Sequence, residues 1–166
     1  LVFDNAYSEL AFDGYRPPSI FEIDGAREVA LEFHSLSKTF NMTGWRLGWA
    51  AGNPELVGIL SKVKSFVDTG VFLGIQAAGA AALRSWEEWV PSNIDVFRSR
   101  RDAAVTALVE EGFQARSPRA TMYLWIPIPT QESGLDFCRR ALEADSTLLV
   151  SSGIWKGNRF VSTRRG

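Results

Sequence analysis

The sequence predicts an α/β fold: part of a parallel or mixed sheet, followed by a smaller α+β lobe. Three observations carry this. Short apolar runs, Leu1 to Phe3, Val29 to Phe33 and Leu47 to Ala51, are bounded by turn residues and have the length of buried strands. Residues able to do chemistry cluster just beyond the C-terminal ends of these runs, where open α/β sheets present their ligand sites. Past Gly112 the rhythm changes to short strand and helix patterns in alternation, as in a small mixed lobe.

Between the first two strands, Asp13-Gly-Tyr-Arg-Pro-Pro-Ser19 reads as a surface loop, because its Pro pair and Gly favour turns. Asn53 followed by Pro54 is a helix start, with apolar positions 56, 57, 60, 63 and 67 on one face. An Ala-rich helix is expected from about Phe72 to Trp86, then a break at Val90-Pro91-Ser92. From Asn93 to about Glu111 the pattern is that of a long amphipathic helix ending at Gly112, a bridge between a large and a small domain. Beyond it, Met122 to Ile128 reads as a strand, Leu135 to Leu142 as a helix, and Leu148 to Val150 and Arg159 to Val161 as short strands. The expected division is 1–92 for the large-domain part and 93–166 for the linking helix and small domain.

The 166 residues are 46% hydrophobic, enough for a real core. A formal net charge of −1, from 18 basic and 19 acidic residues, gives no electrostatic reason to expect nucleic acid or an anionic membrane as partner. Cys138 is the only cysteine, so no intrachain disulfide is possible and a reducing compartment is compatible. No run approaches the ~20 apolar residues of a membrane helix, and Leu1-Val-Phe-Asp lacks the character of a signal peptide. The expectation is a cytoplasmic enzyme. Because Leu1-Val-Phe enters a strand with no preceding cap or turn, the chain is expected to be a piece of something longer.

The chemistry centres on Ser35-Leu-Ser-Lys-Thr-Phe-Asn-Met-Thr-Gly-Trp-Arg46, equipment for a phosphorylated aldehyde cofactor. A lysine attacks an aldehyde only after losing a proton, which burial and neighbouring positive charge favour. Lys38 sits between two apolar runs and is expected at the mouth of the sheet, off any helix face. A phosphate needs several donors and a fixed cation, which Ser35, Ser37 and Arg46 supply, with Gly44 and Gly48 allowing close backbone approach. Upstream, Asp4 can hold a pyridine nitrogen protonated and so keep the ring an electron acceptor, while Tyr7 can hydrogen-bond a phenolic oxygen. His34, the only histidine, is read as a packing or hydrogen-bonding residue, and no metal site is expected.

Val2-Phe-Asp-Asn-Ala-Tyr-Ser-Glu and Phe33-His-Ser-Leu-Ser-Lys-Thr-Phe-Asn-Met-Thr-Gly-Trp-Arg-Leu-Gly-Trp resemble the two signature segments of the class I/II aminotransferases, which have fold type I and use pyridoxal 5′-phosphate. The likeness extends through Asp68-Thr-Gly-Val-Phe and Ala120-Thr-Met-Tyr-Leu-Trp to about Gly153. It implies that the chain is the C-terminal part of such an enzyme. Lys38 would then bind the cofactor and shuttle the proton, Asp4 and Tyr7 would meet its ring nitrogen and phenolic oxygen, and Ser35, Ser37 and Arg46 its phosphate. Within the family, Phe12-Asp-Gly-Tyr-Arg-Pro-Pro-Ser together with the lysine segment is most similar to the LL-diaminopimelate aminotransferases of lysine biosynthesis. The implied substrates are an amino acid and a 2-oxo acid such as 2-oxoglutarate. The implied assembly is a homodimer, with Asp68 to Phe72 reaching toward the neighbouring subunit.

Two other readings stay open: a carbon-sulfur lyase of the same fold, and a non-catalytic remnant. The family's N-terminal half supplies a phosphate loop, a ring-stacking aromatic and an Asn, so these 166 residues alone are expected to be inactive. The family's ending, Phe-Val-Arg, is replaced here by Phe160-Val-Ser-Thr-Arg-Arg-Gly. One inserted base turns a frame for Phe-Val-Arg-Leu-Ala-Gly into that string, so residues 155–166 are expected to reflect a frame shift; the alternative is a true variant that uses Arg164.

Overall fold

The computed structural model describes residues 1–128 and 132–144, together with the backbone of 154–156 and 159–161. Its centre is a three-stranded sheet. Val2–Asp4 (β1) runs parallel to Leu31–Ser35 (β2) with Asp4 opposite Phe33, and Gly48–Gly52 (β3) pairs antiparallel to β2 with Gly48 opposite Ser35. The mixed sheet therefore matches expectation, and each strand lies within two residues of its apolar run. Burial does not match so well. Leu1 and Val2 are each 69% exposed, because β1 has a partner on one side only, whereas in β2, paired on both sides, Leu31 and Glu32 are buried.

Short helical pieces connect the strands: Ala26–Val29 (α1) before β2, and Leu36–Thr39 (α2) directly after it. Pro54–Val67 (α3) starts as the sequence predicts, with the Asn53 side chain accepting from the backbone N–H groups of Glu55 and Leu56. Leu73–Arg84 (α4) follows. The expected break at Val90-Pro91-Ser92 is overturned, because Trp86–Glu110 (α5) is one helix with Pro91 inside it. The helical run is interrupted earlier, at Ser85, the C-cap of α4, before α5 begins at Trp86. Pro91 lies in the second turn of α5 and removes one helical donor, while Ser92 Oγ donates to the Trp89 carbonyl at 3.0 Å.

The chain divides into two compact units, Leu1–Val105 with Ser117–Leu124, and Thr106–Arg116 with Trp125–Gly166. In the first, Leu10, Phe12, Ala30, Leu36 and Val90 are almost wholly buried. Arg101 of α5 lies over the Phe12 ring at 4.7 Å and donates to Asp13 at 2.7 Å and to the Pro118 carbonyl at 3.1 Å. That one side chain joins the loop after Phe12, the helix and the returning segment at 118. It also holds the Asp13 carboxyl below its usual value, chiefly through the hydrogen bond.

In the second unit, Gly134–Glu143 (α6) coincides with the expected helix and is capped by Ser133, and the Phe113 and Phe137 rings meet edge to face at 6.4 Å. Ile154–Lys156 (β4) pairs antiparallel with Arg159–Val161 (β5), the second of which the sequence predicts. Met122 to Ile128 is not a strand. A strand exists only against a partner, and among the described residues the pairing near this segment is one isolated bridge, Ala11 with Ala120. The strand expected at Leu148 to Val150, and the tail beyond Val161, lie outside the described residues. No described helix is long and apolar enough to cross a membrane.

The β2–β3 pairing is close enough to require a missing side chain: a Cβ on Gly48 would lie 2.5 Å from the His34 carbonyl oxygen, whereas one on Gly44 would meet nothing within 4 Å. Gly48→Ala is therefore expected to lower stability by roughly 2–3 kcal/mol and Gly44→Ala by less than about 0.5 kcal/mol, read from urea unfolding of the two variants. Equal losses would show that strand approach does not set the requirement.

Candidate cofactor-binding site

The parallel pairing of β1 and β2 brings their C-terminal ends side by side, since Asp4 faces Phe33 and the Asn5 N–H donates to the Phe33 carbonyl at 2.9 Å. Asp4 and Tyr7 leave one strand there, and Ser35, Ser37 and Lys38 leave the other. Two clusters about thirty residues apart in sequence thus share one edge of the sheet.

What locks that edge is Glu32, 1% exposed. One carboxylate oxygen accepts from Asn5 Nδ2 at 2.7 Å and lies 3.0 Å from His34 Nε2; the other accepts from Ser19 Oγ at 2.6 Å and from the Ile20 N–H at 3.0 Å. Burial taken alone raises the carboxyl, but the donors from Asn5, Ser19 and Ile20, with His34 beside them, outweigh it and hold the group below its ordinary range. His34 is half-buried and stacks on Trp49 at 5.0 Å with the rings 9° apart, which agrees with the packing role expected of it. Glu32 was not singled out by sequence reasoning. An acid in the apolar run Val29-Ala-Leu-Glu-Phe was the available signal, since a buried carboxylate requires partners.

Lys38 is half-buried on α2, a single helical turn, and so on a helix after all, though at the end of β2 as expected. The reason is local: Ser35 Oγ accepts from the Ser37 N–H at 3.1 Å and caps the turn. A hydroxyl that accepts in this way keeps its own proton for donation, so capping leaves Ser35 able to serve an anion. Ser37 is buried, and its carbonyl accepts from Thr43 Oγ1 at 3.0 Å. The Lys38 amine lies 5.7 Å from the centre of the Tyr7 ring, which joins the two clusters in space. Tyr7 itself pairs with Tyr123, hydroxyl to hydroxyl, at 2.8 Å. Tyr123 lies in the family-like segment Ala120-Thr-Met-Tyr-Leu-Trp, but nothing in that segment gave it a role.

Asp4 is exposed at the end of β1. Arg46 is exposed and adopts a left-handed backbone with φ 53°, donating from Nη1 to the Thr43 carbonyl at 2.9 Å. That bond uses one of five guanidinium donors. Among the described residues, neither Asp4 nor Arg46 bonds to Lys38. A cavity of about 150 Å³ borders Asn5, Ser35 and the His34–Trp49 stack, but Lys38, Tyr7 and Arg46 do not line it. Together, one amine, two serine hydroxyls, a guanidinium and a phenol as donors, with one carboxylate as acceptor, suit a phosphorylated aldehyde carried on a pyridine ring.

Residues 1–155 match the family described as aminotransferase class I and II, and the chain belongs to that family. Its members use pyridoxal 5′-phosphate. An LL-diaminopimelate aminotransferase of Desulforudis audaxviator is 51% identical over 89% of this chain and 38% of its own length. A substrate-bound structure of BacF from Bacillus subtilis superposes with a TM-score of 0.80 at 34% identity, over 86% of this chain and 36% of that one. The N-succinyldiaminopimelate aminotransferase of Mycobacterium tuberculosis gives 0.78 at 31%, over 86% and 38%. The chain spans about two fifths of the length of the curated relatives it matches.

Because the folded-state value of Glu32 is depressed, its stabilising contribution is complete above the ordinary value of 4.5 and is lost as pH falls through the lower folded value. Glu32→Gln is expected to cost about 1–3 kcal/mol near neutral pH and to flatten the acid limb of stability against pH, leaving the share of Asp13. A variant with an unchanged acid limb in urea titrations from pH 7 to 3 would contradict this account.

Proposed function

We propose that the chain forms the lysine-bearing part of a pyridoxal 5′-phosphate enzyme that transfers an amino group between an amino acid and a 2-oxo acid such as 2-oxoglutarate. The observation that carries the reading is the Lys38 amine above the Tyr7 ring at the shared end of β1 and β2. Membership in the aminotransferase family supports it. Bound cofactor supplies a ring that accepts the electrons released when the bond to the substrate's α-hydrogen breaks. Lys38 then holds and returns that proton, and its half-buried place on α2 limits its access to water. Asp4 would meet the ring nitrogen, Tyr7 the phenolic oxygen, and Ser35, Ser37 and Arg46 the phosphate. Arg46 has to turn from the Thr43 carbonyl or share its fork to do so.

LL-diaminopimelate is the proposed amino-acid substrate, supported by relatives so named at 43–51% identity. Residues 1–92 are proposed as the C-terminal part of the cofactor-binding domain and 93–166 as the linking helix and small domain. A cytoplasmic homodimer is the proposed setting, with Asp68 to Phe72 near the partner.

Reduction with borohydride after incubation with pyridoxal 5′-phosphate, followed by peptide mapping, tests the assignment. The label is expected on Lys38, and Lys38→Ala is expected to abolish it while the circular dichroism spectrum stays the same. Label concentrated on Lys62 or Lys64 would refute it.

A further inference from the structure

Tyr123 belongs to neither sequence cluster, yet the fold takes pains to place it. The Phe12 N–H donates to the Arg119 carbonyl and the Thr121 N–H to the Leu10 carbonyl, both at 2.8 Å, flanking the Ala11–Ala120 bridge. Leu10 and Phe12 are 0% and 1% exposed, so the anchor point is among the most buried of the described residues. Thr121 then adopts φ 74°, a left-handed conformation that is strained for a β-branched residue. Its Oγ1 accepts from the Tyr123 N–H at 3.1 Å, so the strained turn sets the direction in which Tyr123 leaves.

The Tyr123 hydroxyl meets the Tyr7 hydroxyl at 2.8 Å, with the rings edge to face at 5.6 Å and 68°. We infer that Tyr123 is a positioning residue of the cofactor site, donating its phenolic proton to the oxygen of Tyr7 so that Tyr7 keeps its own proton for the cofactor. This rests on the reading of Tyr7 as the residue facing the cofactor's phenolic oxygen. Each phenol has one proton. When Tyr7 spends its proton on the cofactor, the bond between the two tyrosines can be supplied only by Tyr123. A hydrogen bond received at its oxygen polarises Tyr7 and strengthens the bond it donates. Tyr123 is 58% exposed, so it contributes little as a core residue, and Tyr123→Phe is expected to leave the fold intact.

A merely structural Tyr123 would act on the site independently of the Tyr7 hydroxyl, and a double-mutant cycle separates the two cases. The 166-residue chain is exposed to subsaturating pyridoxal 5′-phosphate and reduced with borohydride, and label on Lys38 is divided by label on the exposed Lys62. Tyr123→Phe and Tyr7→Phe are each expected to lower this ratio about three- to tenfold, the worth of one hydrogen bond. The double variant is expected to fall no further than Tyr7→Phe alone. An unchanged ratio in Tyr123→Phe, or losses that multiply in the double variant, would overturn the inference while leaving the site reading in place. No preference for Lys38 in the unsubstituted chain would remove the site reading, and the inference with it.

Discussion

A single buried carboxylate sets the geometry of this site. Glu32 draws donors from two places, Asn5 just past β1 and Ser19 with Ile20 before α1, and lies 3.0 Å from His34 Nε2 on its own strand. An unpaired ionised group at that depth would cost several kcal/mol, so the donors are requirements, and the segments that carry them must stay together. Asn5 adjoins Asp4, and Glu32 stands three residues before Ser35. Holding Asn5 against Glu32 therefore holds the Asp4–Tyr7 cluster against the Ser35–Lys38 cluster, a pairing that strand hydrogen bonds over three residues would secure only weakly.

Local features were legible in the sequence because their causes are local. The Asn53 cap with Pro54, the helix at Leu135 to Leu142 and the three sheet strands all follow from periodicity and turn residues within a few positions. Pro91 misled for the same reason: a proline suggests a break, but it falls early in α5, where one lost donor is tolerable, and the helical run had already been interrupted at Ser85. Met122 to Ile128 has the composition of a strand, yet strand formation depends on a partner that composition does not reveal.

The candidate site divides along the same line. Residue types and spacing marked Asp4, Tyr7, Ser35, Ser37, Lys38 and Arg46, and the fold brings Lys38 against Tyr7. The partners of the supporting residues could not be read from the sequence, because they are distant in it, even where a buried acid such as Glu32 signalled that partners were needed. Glu32 reaches 27 positions back to Asn5, and Tyr7 reaches 116 forward to Tyr123. Motifs name the residues that meet a ligand, whereas the residues that hold them in place are found only through contacts.

The claim that the ends of β1 and β2 form one cofactor-binding face is tested most directly by following backbone amide NMR signals of the chain as pyridoxal 5′-phosphate is added. The account predicts shifts concentrated at Asp4 to Tyr7 and Ser35 to Lys38, with α3 unaffected. Shifts centred on Lys62 and Lys64, with those two segments unchanged, would contradict it.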